Sequence, residues 1–541
     1  MVHMSHAGRH PLIAGARITS LGTLACRILG MARDMATASL LGLAGGGIMD
    51  AFVIAFRIPN LFRRLFGEGA LTASYLPVLS AQLETDPQIA RQLASVVVTL
   101  LALLLVGLVA VGELLFGVVW LIWGDVPGVG LLMGLSAVML PYLLLICIAA
   151  QLTTMLYAAQ HFAVPALTPA MLNIVWLIGA WAVAPWFAPN QEAQAYVLAV
   201  SVVVAGAVQV VVQLPTLRRL GFHFDYNWTA ARDGINQIAR NMAPMLVGLA
   251  VTQINTFNDS LIAWGLAAAP DGSPYIPGLD GVRYPMQQGA AAAIYYGERL
   301  YEFPLGIVGT AVAVAIFPLL SRHAARGDRR QLGADMSLGL RLVCCLGVPA
   351  GVGLILLAEP LARLLFERGH FQAEDTARAA RMIAWYATGV WAYCASPVIV
   401  RGFYALGDCG TPVRVAAWMV GLNLALNLTL IWPMAEAGLA VSTSLAAAVQ
   451  VFVLMAIFSR RQAPLHWRDL SATAARTVLS TMVMAAIVYF ALDWTPSGDR
   501  LLAQIVHVFV PIALGMAGYC AAYWLLGGRE LGMLLGGRSE S

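Results

Sequence analysis

Five arginines, Arg27, Arg33, Arg57, Arg63 and Arg64, and three acids, Asp34, Asp50 and Glu68, stand inside the otherwise apolar stretch from Leu21 to Ser80. An arginine at the centre of a lipid-facing helix costs roughly 2.5–3.5 kcal/mol on insertion scales. Eight charges in one apolar hairpin therefore require a wet cavity inside a helical bundle, and the positive excess makes that cavity a place for an anion. Arg57, Asn60, Arg64 and Glu68 follow i, i+3, i+7, i+11, which is one helical face, and Arg63 broadens it. Arg27 and Asp34, seven apart, share a face of the preceding helix, with Gly30 between them to permit close approach. The plainer alternative is that Asp34, Asp50 and Glu68 form interhelical ion pairs that only fix the bundle. Three acids cannot satisfy five arginines, so two are left for a ligand. Further along, Arg299 and Glu302 stand i, i+3 in the apolar run 292–321, where they could pair with each other or face the first hairpin. A guanidinium fork donates two parallel hydrogen bonds and suits phosphate. The candidate anion-binding residues are therefore Arg27, Arg33, Arg57, Arg63, Arg64 and Arg299, with Asp34, Asp50, Glu68 and Glu302 as gating or charge partners.

A second polar group has a different character. Gln253, Asn255, Asn258 and Asp259 crowd one apolar run, Asn423 and Asn427 are i, i+4 on another, and Ser442 and Thr443 sit on the next. One carboxylate with amide and hydroxyl oxygens is the hard-oxygen set that sodium takes. Polar packing between helices accounts for the same residues. No HExxH, no GxSxG and no carboxylate pair in a soluble segment is present, so nothing points to an enzyme. No nucleic-acid signature is present either.

The elements that carry these groups must be membrane spans. Of 541 residues, 60% are hydrophobic and 11% charged, and mean hydropathy is +0.77, where a soluble domain is about a quarter charged. All 32 basic residues are arginine. Without lysine there is no Walker A lysine for nucleotide phosphates and no Schiff-base lysine, so transport would draw on a gradient, the membrane potential or a partner. The seven cysteines lie mostly in apolar runs without a CxxC, as small core residues. Apolar runs long enough to cross ~30 Å of hydrocarbon fall near 12–42, 50–80, 93–120, 131–157, 164–187, 195–217, 240–266, 292–321, 336–357, 380–405, 411–432, 438–458, 472–493 and 502–526. This predicts an all-α polytopic membrane protein of about 14 spans. Arg218, Arg219, Arg322, Arg326, Arg329, Arg330, Arg460, Arg461 and Arg468 lie in loops on the side of the termini, while 43–49, 121–130, 188–194 and 433–437 hold no basic residue. The positive-inside rule makes both termini cytoplasmic. Glu359 to Arg381, an outer connection of mixed charge, reads as an interfacial element.

The chain repeats itself. Pro77 to Ser80 (PVLS) returns as Pro318 to Ser321 (PLLS), 241 positions later, and Thr168-Pro169 returns as Thr411-Pro412, 243 positions later. A repeat of six spans predicts two six-helix lobes related by a pseudo-two-fold axis, with the site between them and two extra C-terminal helices. The predicted parts are a tail 1–11, an N-lobe 12–218, a linker 219–239, a C-lobe 240–460, a linker 461–471, the extra spans 472–527 and a tail 528–541. The loop at 267–291 is either a modifier of the outer gate or a tolerated insertion.

RILGMARD at 27–34, DAFVIAFRIPNLFRRLFGEGALTASYLPVLS at 50–80, YYGERLYEFPLGIVGTAVAVAIFPLLS at 295–321 and LFERGHFQAEDT at 365–376 resemble the MurJ/MviN family of the multidrug/oligosaccharidyl-lipid/polysaccharide flippase superfamily. The resemblance covers essentially the whole chain, including the final pair of spans. It implies a bacterial inner-membrane flippase that carries lipid II, a polyprenyl pyrophosphate bearing a disaccharide and a peptide, from inner to outer leaflet by alternating access. It also implies that Arg27, Arg33, Arg63 and Arg299 hold the pyrophosphate, and that Asp34, Asp50, Arg57, Glu68 and Glu302 are further charged motif positions. A sodium site would map onto Asp259, Asn423, Asn427 and Thr443, with Asn427 a neutral ligand. The lipid tail would follow a groove formed with the last two spans. Expected partners are lipid II, membrane lipids and the cell-wall synthesis machinery, and no cofactor beyond sodium or the membrane potential is expected. The alternatives are a flippase for another polyprenyl-linked oligosaccharide and a cation-coupled multidrug exporter; the exporter would place carboxylates, not surplus arginines, at the cavity centre.

Overall fold

The structure, a computed structural model, describes residues 6–534 apart from 44, 68, 270–272, 280, 497 and 499. Glu68 thus lies outside the described residues. Two compact units emerge: Met1–Trp264 with Ala269–Asp271 and Arg368–Phe371, and Gly265–Ala268 with Gly272–Glu367 and Gln372–Ser541.

The first unit contains α1 (His6–Leu41), α2 (Ile48–Phe62), α3 (Ala70–Thr85), α4 (Pro87–Trp123), α5 (Val129–Met139), α6 (Tyr142–Ala158), α7 (Ala163–Ile178), α8 (Gln191–Arg219) and nearly all of α9 (Trp228–Gly265). The opening helix of the second sequence repeat is therefore packed with the first repeat. The second unit contains α10 (Ala290–Pro304), α11 (Thr310–Arg326), α12 (Arg329–Leu356), α13 (Ala358–Phe366), α14 (Ala373–Ala387), α15 (Val390–Ala405), α16 (Gly410–Met434), α17 (Glu436–Arg461), α18 (Trp467–Trp494), α19 (Leu501–Leu525) and α20 (Glu530–Leu534). In the 267–291 loop, Ala267–Ala268 pairs in parallel with Met286–Gln287, and Tyr275 bridges to Arg283.

The protein is an all-α, multi-pass membrane protein. Among the described residues ten helices are long and apolar enough to cross a membrane, or up to twelve if each of two bent pairs is one span. Those falling short of the test singly are the first, second, seventh and tenth of the fourteen apolar runs. The second and the seventh are runs loaded with charge or amides, so the polar groups that mark a site also lower the hydropathy that marks a span.

Local chemistry explains the breaks. The turn between α1 and α2 holds Gly46 at φ 62° and Gly47 at φ 76°, a left-handed conformation that residues with a Cβ adopt at a cost. Around it the chain bends by 109°. After α2 comes a π-turn, Arg63–Gly67, and after α10 another, Leu305–Gly309. They lie 242 positions apart, so the repeat legible in sequence extends to the helix irregularities. Each follows a proline inside the preceding helix, Pro59 or Pro304, which withholds a backbone N–H. In a membrane the loosened carbonyls need donors. Gln151, fully buried, donates to Phe66 O at 3.0 Å and Gly67 O at 3.3 Å.

In the first unit α1 packs on α7. The close approach comes at Gly22, where a Cβ would meet the Ala166 carbonyl oxygen at 2.7 Å, rather than at Gly30, where Asn173 Nδ2 would be 3.8 Å away. Trp176 of α7 is buried, donates to Thr37 Oγ1 at 3.1 Å and takes Phe52 and Phe56 edge-on. In the second unit Val312, Met336, Val398, Phe403 and Phe458 belong to one core. The final hairpin packs through Met484, Val488, Tyr519 and Tyr523 onto Cys345 of α12.

Candidate functional site

The first unit gathers most of the charged side chains singled out above. Arg33 and Asp34 are both buried. Arg33 donates from Nε at 3.0 Å and Nη2 at 2.7 Å to Asp34 Oδ1, and from Nη1 at 3.2 Å to Asn173 Oδ1. Its guanidinium carbon lies 4.8 Å from the Trp176 ring centroid. All three nitrogens thus have protein partners, and a buried guanidinium so held ties α1 to α7. Arg27, one turn and a half earlier on α1, is half-buried. Beside it, Asn173 Nδ2 donates to Cys26 O at 3.2 Å. Asp50 lies buried in the first turn of α2, where a carboxylate suits the partial positive charge of a helix N-terminus.

On α2, Arg57 Nη1 donates to Thr256 O of α9 at 2.9 Å. Arg63 Nε donates to Asn60 Oδ1 at 3.2 Å, and Arg64 Nη1 to Gln253 Oε1 at 3.5 Å. Arg57 and Arg64, seven apart, both meet α9, although the π-turn begins between them at Arg63. Arg63 joins Asn60, while Arg64 turns to α9. Two of the three guanidinium groups therefore reach α9, with Asp259 buried farther along that helix. Arg57, Arg63 and Arg64 thus concentrate positive charge along α2 and the π-turn, the sign an anion requires.

In the second unit Arg299 Nη1 donates to Glu302 Oε2 at 3.0 Å, and the guanidinium stacks 4.4 Å from the Tyr295 ring centroid. The pairing alternative is thus realised for Arg299 and Glu302, with both side chains partly exposed. Asn427 Nδ2 donates to Asn423 Oδ1 at 3.0 Å, and Asn423 Nδ2 to Thr443 Oγ1 at 3.3 Å. These three make a polar seam between α16 and α17, as interhelical packing requires. Their intended carboxylate companion, Asp259, belongs to the first unit.

Two groups carried no signal in sequence. Arg378 Nε donates to Glu436 Oε1 at 3.0 Å, and its Nη1 to Gln288 O at 2.8 Å, tying α14 to α17 and to the end of the 267–291 loop. The stretch 528–541, read from sequence as a tail, begins with an anchor. Glu530 is fully buried; its Oε1 accepts from Arg341 Nε at 3.0 Å and Thr473 Oγ1 at 2.8 Å, and its Oε2 from Tyr523 OH at 2.7 Å and Arg529 N at 3.0 Å. Burial alone would push this carboxyl up. The hydrogen bonds from Tyr523, Thr473 and Arg341 outweigh it and hold the carboxyl down at about 2.

Comparison with known proteins adds an independent line. The family model described as "Lipid II flippase MurJ" matches residues 38–505. A probable lipid II flippase MurJ of Vibrio cholerae is 33% identical over 539 residues, covering 96% of this chain and 97% of that one. The corresponding protein of Rhizobium tropici is 31% identical over 527 residues, covering 95% and 94%. A solved structure of a lipid II flippase MurJ in an inward closed conformation superposes with TM-score 0.72 at 22% identity, covering 94% of this chain and 99% of the other. An inward-facing multidrug transporter of the MATE family superposes with TM-score 0.64 at 12% identity, covering 80% and 95%. The two superpositions speak to the fold.

Proposed function

The chain belongs to the lipid II flippase MurJ family, and from that membership we propose that it carries lipid II from the inner to the outer leaflet of a bacterial inner membrane, both termini cytoplasmic. The protein works as a transporter by alternating access, in which the two repeats rock against each other. The pyrophosphate docks on guanidinium groups. Arg27 and Arg63 bind it directly, Arg57 and Arg64 flank it from α2 and the π-turn, and Arg299 is the second repeat's contribution. Arg33 acts through position, holding α1 on α7 with Asp34 and Asn173. The observation that carries this reading is the crowding of Arg57, Arg63 and Arg64 along α2 and the π-turn, two of them reaching α9. A planar guanidinium recognises phosphate oxygens bidentately, and several together recognise pyrophosphate.

Movement is driven by the membrane potential or by a sodium gradient. For sodium, Asp259, Asn423, Asn427 and Thr443 are the oxygen donors, and the amide and hydroxyl seam of α16 and α17 is the part that would reorganise around the ion.

The test uses bacteria depleted of their own flippase and expressing this protein or its Arg63→Ala variant at matched membrane levels. Lipid II at the outer leaflet is quantified. Wild type restores it, and Arg63→Ala lowers it by about tenfold or more, the scale of a lost charge-assisted contact. Equal restoration by both would remove Arg63 from the site. Well-inserted wild type that restores nothing would point to another polyprenyl-linked oligosaccharide.

A further inference from the structure

At one end of the second unit lies a cavity of about 280 Å³ bounded by the last turn of α12, α13 and the facing ends of α18 and α19. Leu356 and Leu492 form apolar wall; Glu359, Arg363, Gln504 and His507 are its polar groups. None of these is a residue of the site described above. The cavity sits at the boundary between lipid and water. Two residues beyond Leu492 stands Trp494, 90% exposed, and Tyr489, Phe490 and Leu502 beside it are also exposed. Exposed aromatic and aliphatic side chains at a span's end are the belt that meets the headgroup layer.

The charges define what fits. Arg363 Nη2 stands 3.3 Å from Glu359 Oε1, and its Nε 3.5 Å from Glu367 Oε2. Both contacts are longer than the ~2.7–2.9 Å of a tight N–H to carboxylate bond, so the guanidinium can turn toward an incoming phosphate. Two carboxylates around one guanidinium leave negative charge over. The Glu359 side chain is exposed and can take a cation. His507 adds an acceptor. Thr495 Oγ1 has its hydroxyl proton on Ala491 O at 2.9 Å, so it accepts from His507 Nδ1 at 2.9 Å, and Thr495 O is 3.3 Å from the same nitrogen. The proton of the neutral ring therefore sits on Nδ1, and Nε2 offers a lone pair.

We propose that this cavity binds the headgroup of an aminophospholipid, with the phosphate on Arg363, the ammonium on Glu359 and His507, and the acyl chains lying along the exposed face of α18. A phospholipid with only a phosphate charge would meet the surplus carboxylate unfavourably, whereas a zwitterion answers both signs. The volume lies just below the range of ligand sites, which run about 300–1,000 Å³, and suits a headgroup rather than a whole lipid. The bound lipid clamps the junction of α13 with the last hairpin.

The test is lipid retention by the purified full-length protein in mild detergent, read by native mass spectrometry during titration with phosphatidylethanolamine, phosphatidylcholine or phosphatidylglycerol. Wild type retains phosphatidylethanolamine about tenfold better than phosphatidylglycerol, the scale of one charge-assisted hydrogen bond. Glu359→Gln, a same-shape change, removes most of that preference, and Arg363→Gln lowers retention of both lipids. The difference between wild type and variant isolates this cavity from lipids bound elsewhere, and circular dichroism confirms that the variants are folded. Lack of preference in wild type, or a preference unchanged in both variants, overturns the proposal. Competition by soluble phosphoethanolamine as strong as by the lipid would also overturn it, because the chains would then contribute nothing.

Discussion

Protonating or neutralising Glu530 should release α20 and loosen the last hairpin from α12. Glu530 accepts from Arg341, Thr473, Tyr523 and its neighbour's amide inside a site with no exposed surface. Its carboxyl is brought from 4.5 to about 2, which corresponds to about 3 kcal/mol of folded-state preference for the ionised form. Because the folded value is the lower one, this stabilisation is fully present above about 4.5 and is lost as pH falls from there toward 2. The assay is amide hydrogen exchange of purified protein between pH 7 and pH 3, corrected for intrinsic rates and read in peptides covering α18 to α20. In wild type, protection there falls with acidification, by about thirtyfold at pH 3, where an unfolded carboxyl is protonated and the folded one is still mostly ionised. In Glu530→Gln it is already low at pH 7 and stays flat across the window. A variant curve that falls in parallel with wild type would refute the assignment, since the protons would then be going to other carboxyls.

Further outcomes follow from the first unit. Arg33→Ala leaves Asp34 buried without its ion and should cost about 3–5 kcal/mol; Arg33→Met with Asp34→Asn should recover much of it. Thermal unfolding in detergent reads both, and equal loss in the single and double variants would show that the pair is not what matters. Gly42, at φ +67°, lies against the 368–371 segment, where an added Cβ would meet His370 O at 2.7 Å and where His370 N donates to Ser39 O at 2.9 Å. Gly42→Ala should break that contact at a cost of about 1–3 kcal/mol, read as faster labelling of a cysteine placed at His370. Unchanged labelling would dismiss the contact.

Much was legible in the chain alone. Membrane character, the Arg- and Gly-marked turns, the six-span repeat and the family motifs all rest on composition and on patterns within one or two helical turns, and such patterns survive reading in one dimension. The partner of each arginine was not legible. Arg33 looked like its neighbours until Asn173 and Trp176, some 140 positions away, took its donors and stacked on it. The π-turn at Arg63–Gly67 was not legible either, and its Phe66 and Gly67 carbonyls take their donor from Gln151 of another helix. Glu530 read as a tail residue because its partner Arg341 is 189 positions distant. Hydropathy and periodicity report how each helix meets lipid or protein along its own length. The assignment of a buried polar group to a partner is set by which helices come side by side, and only the packed bundle decides that.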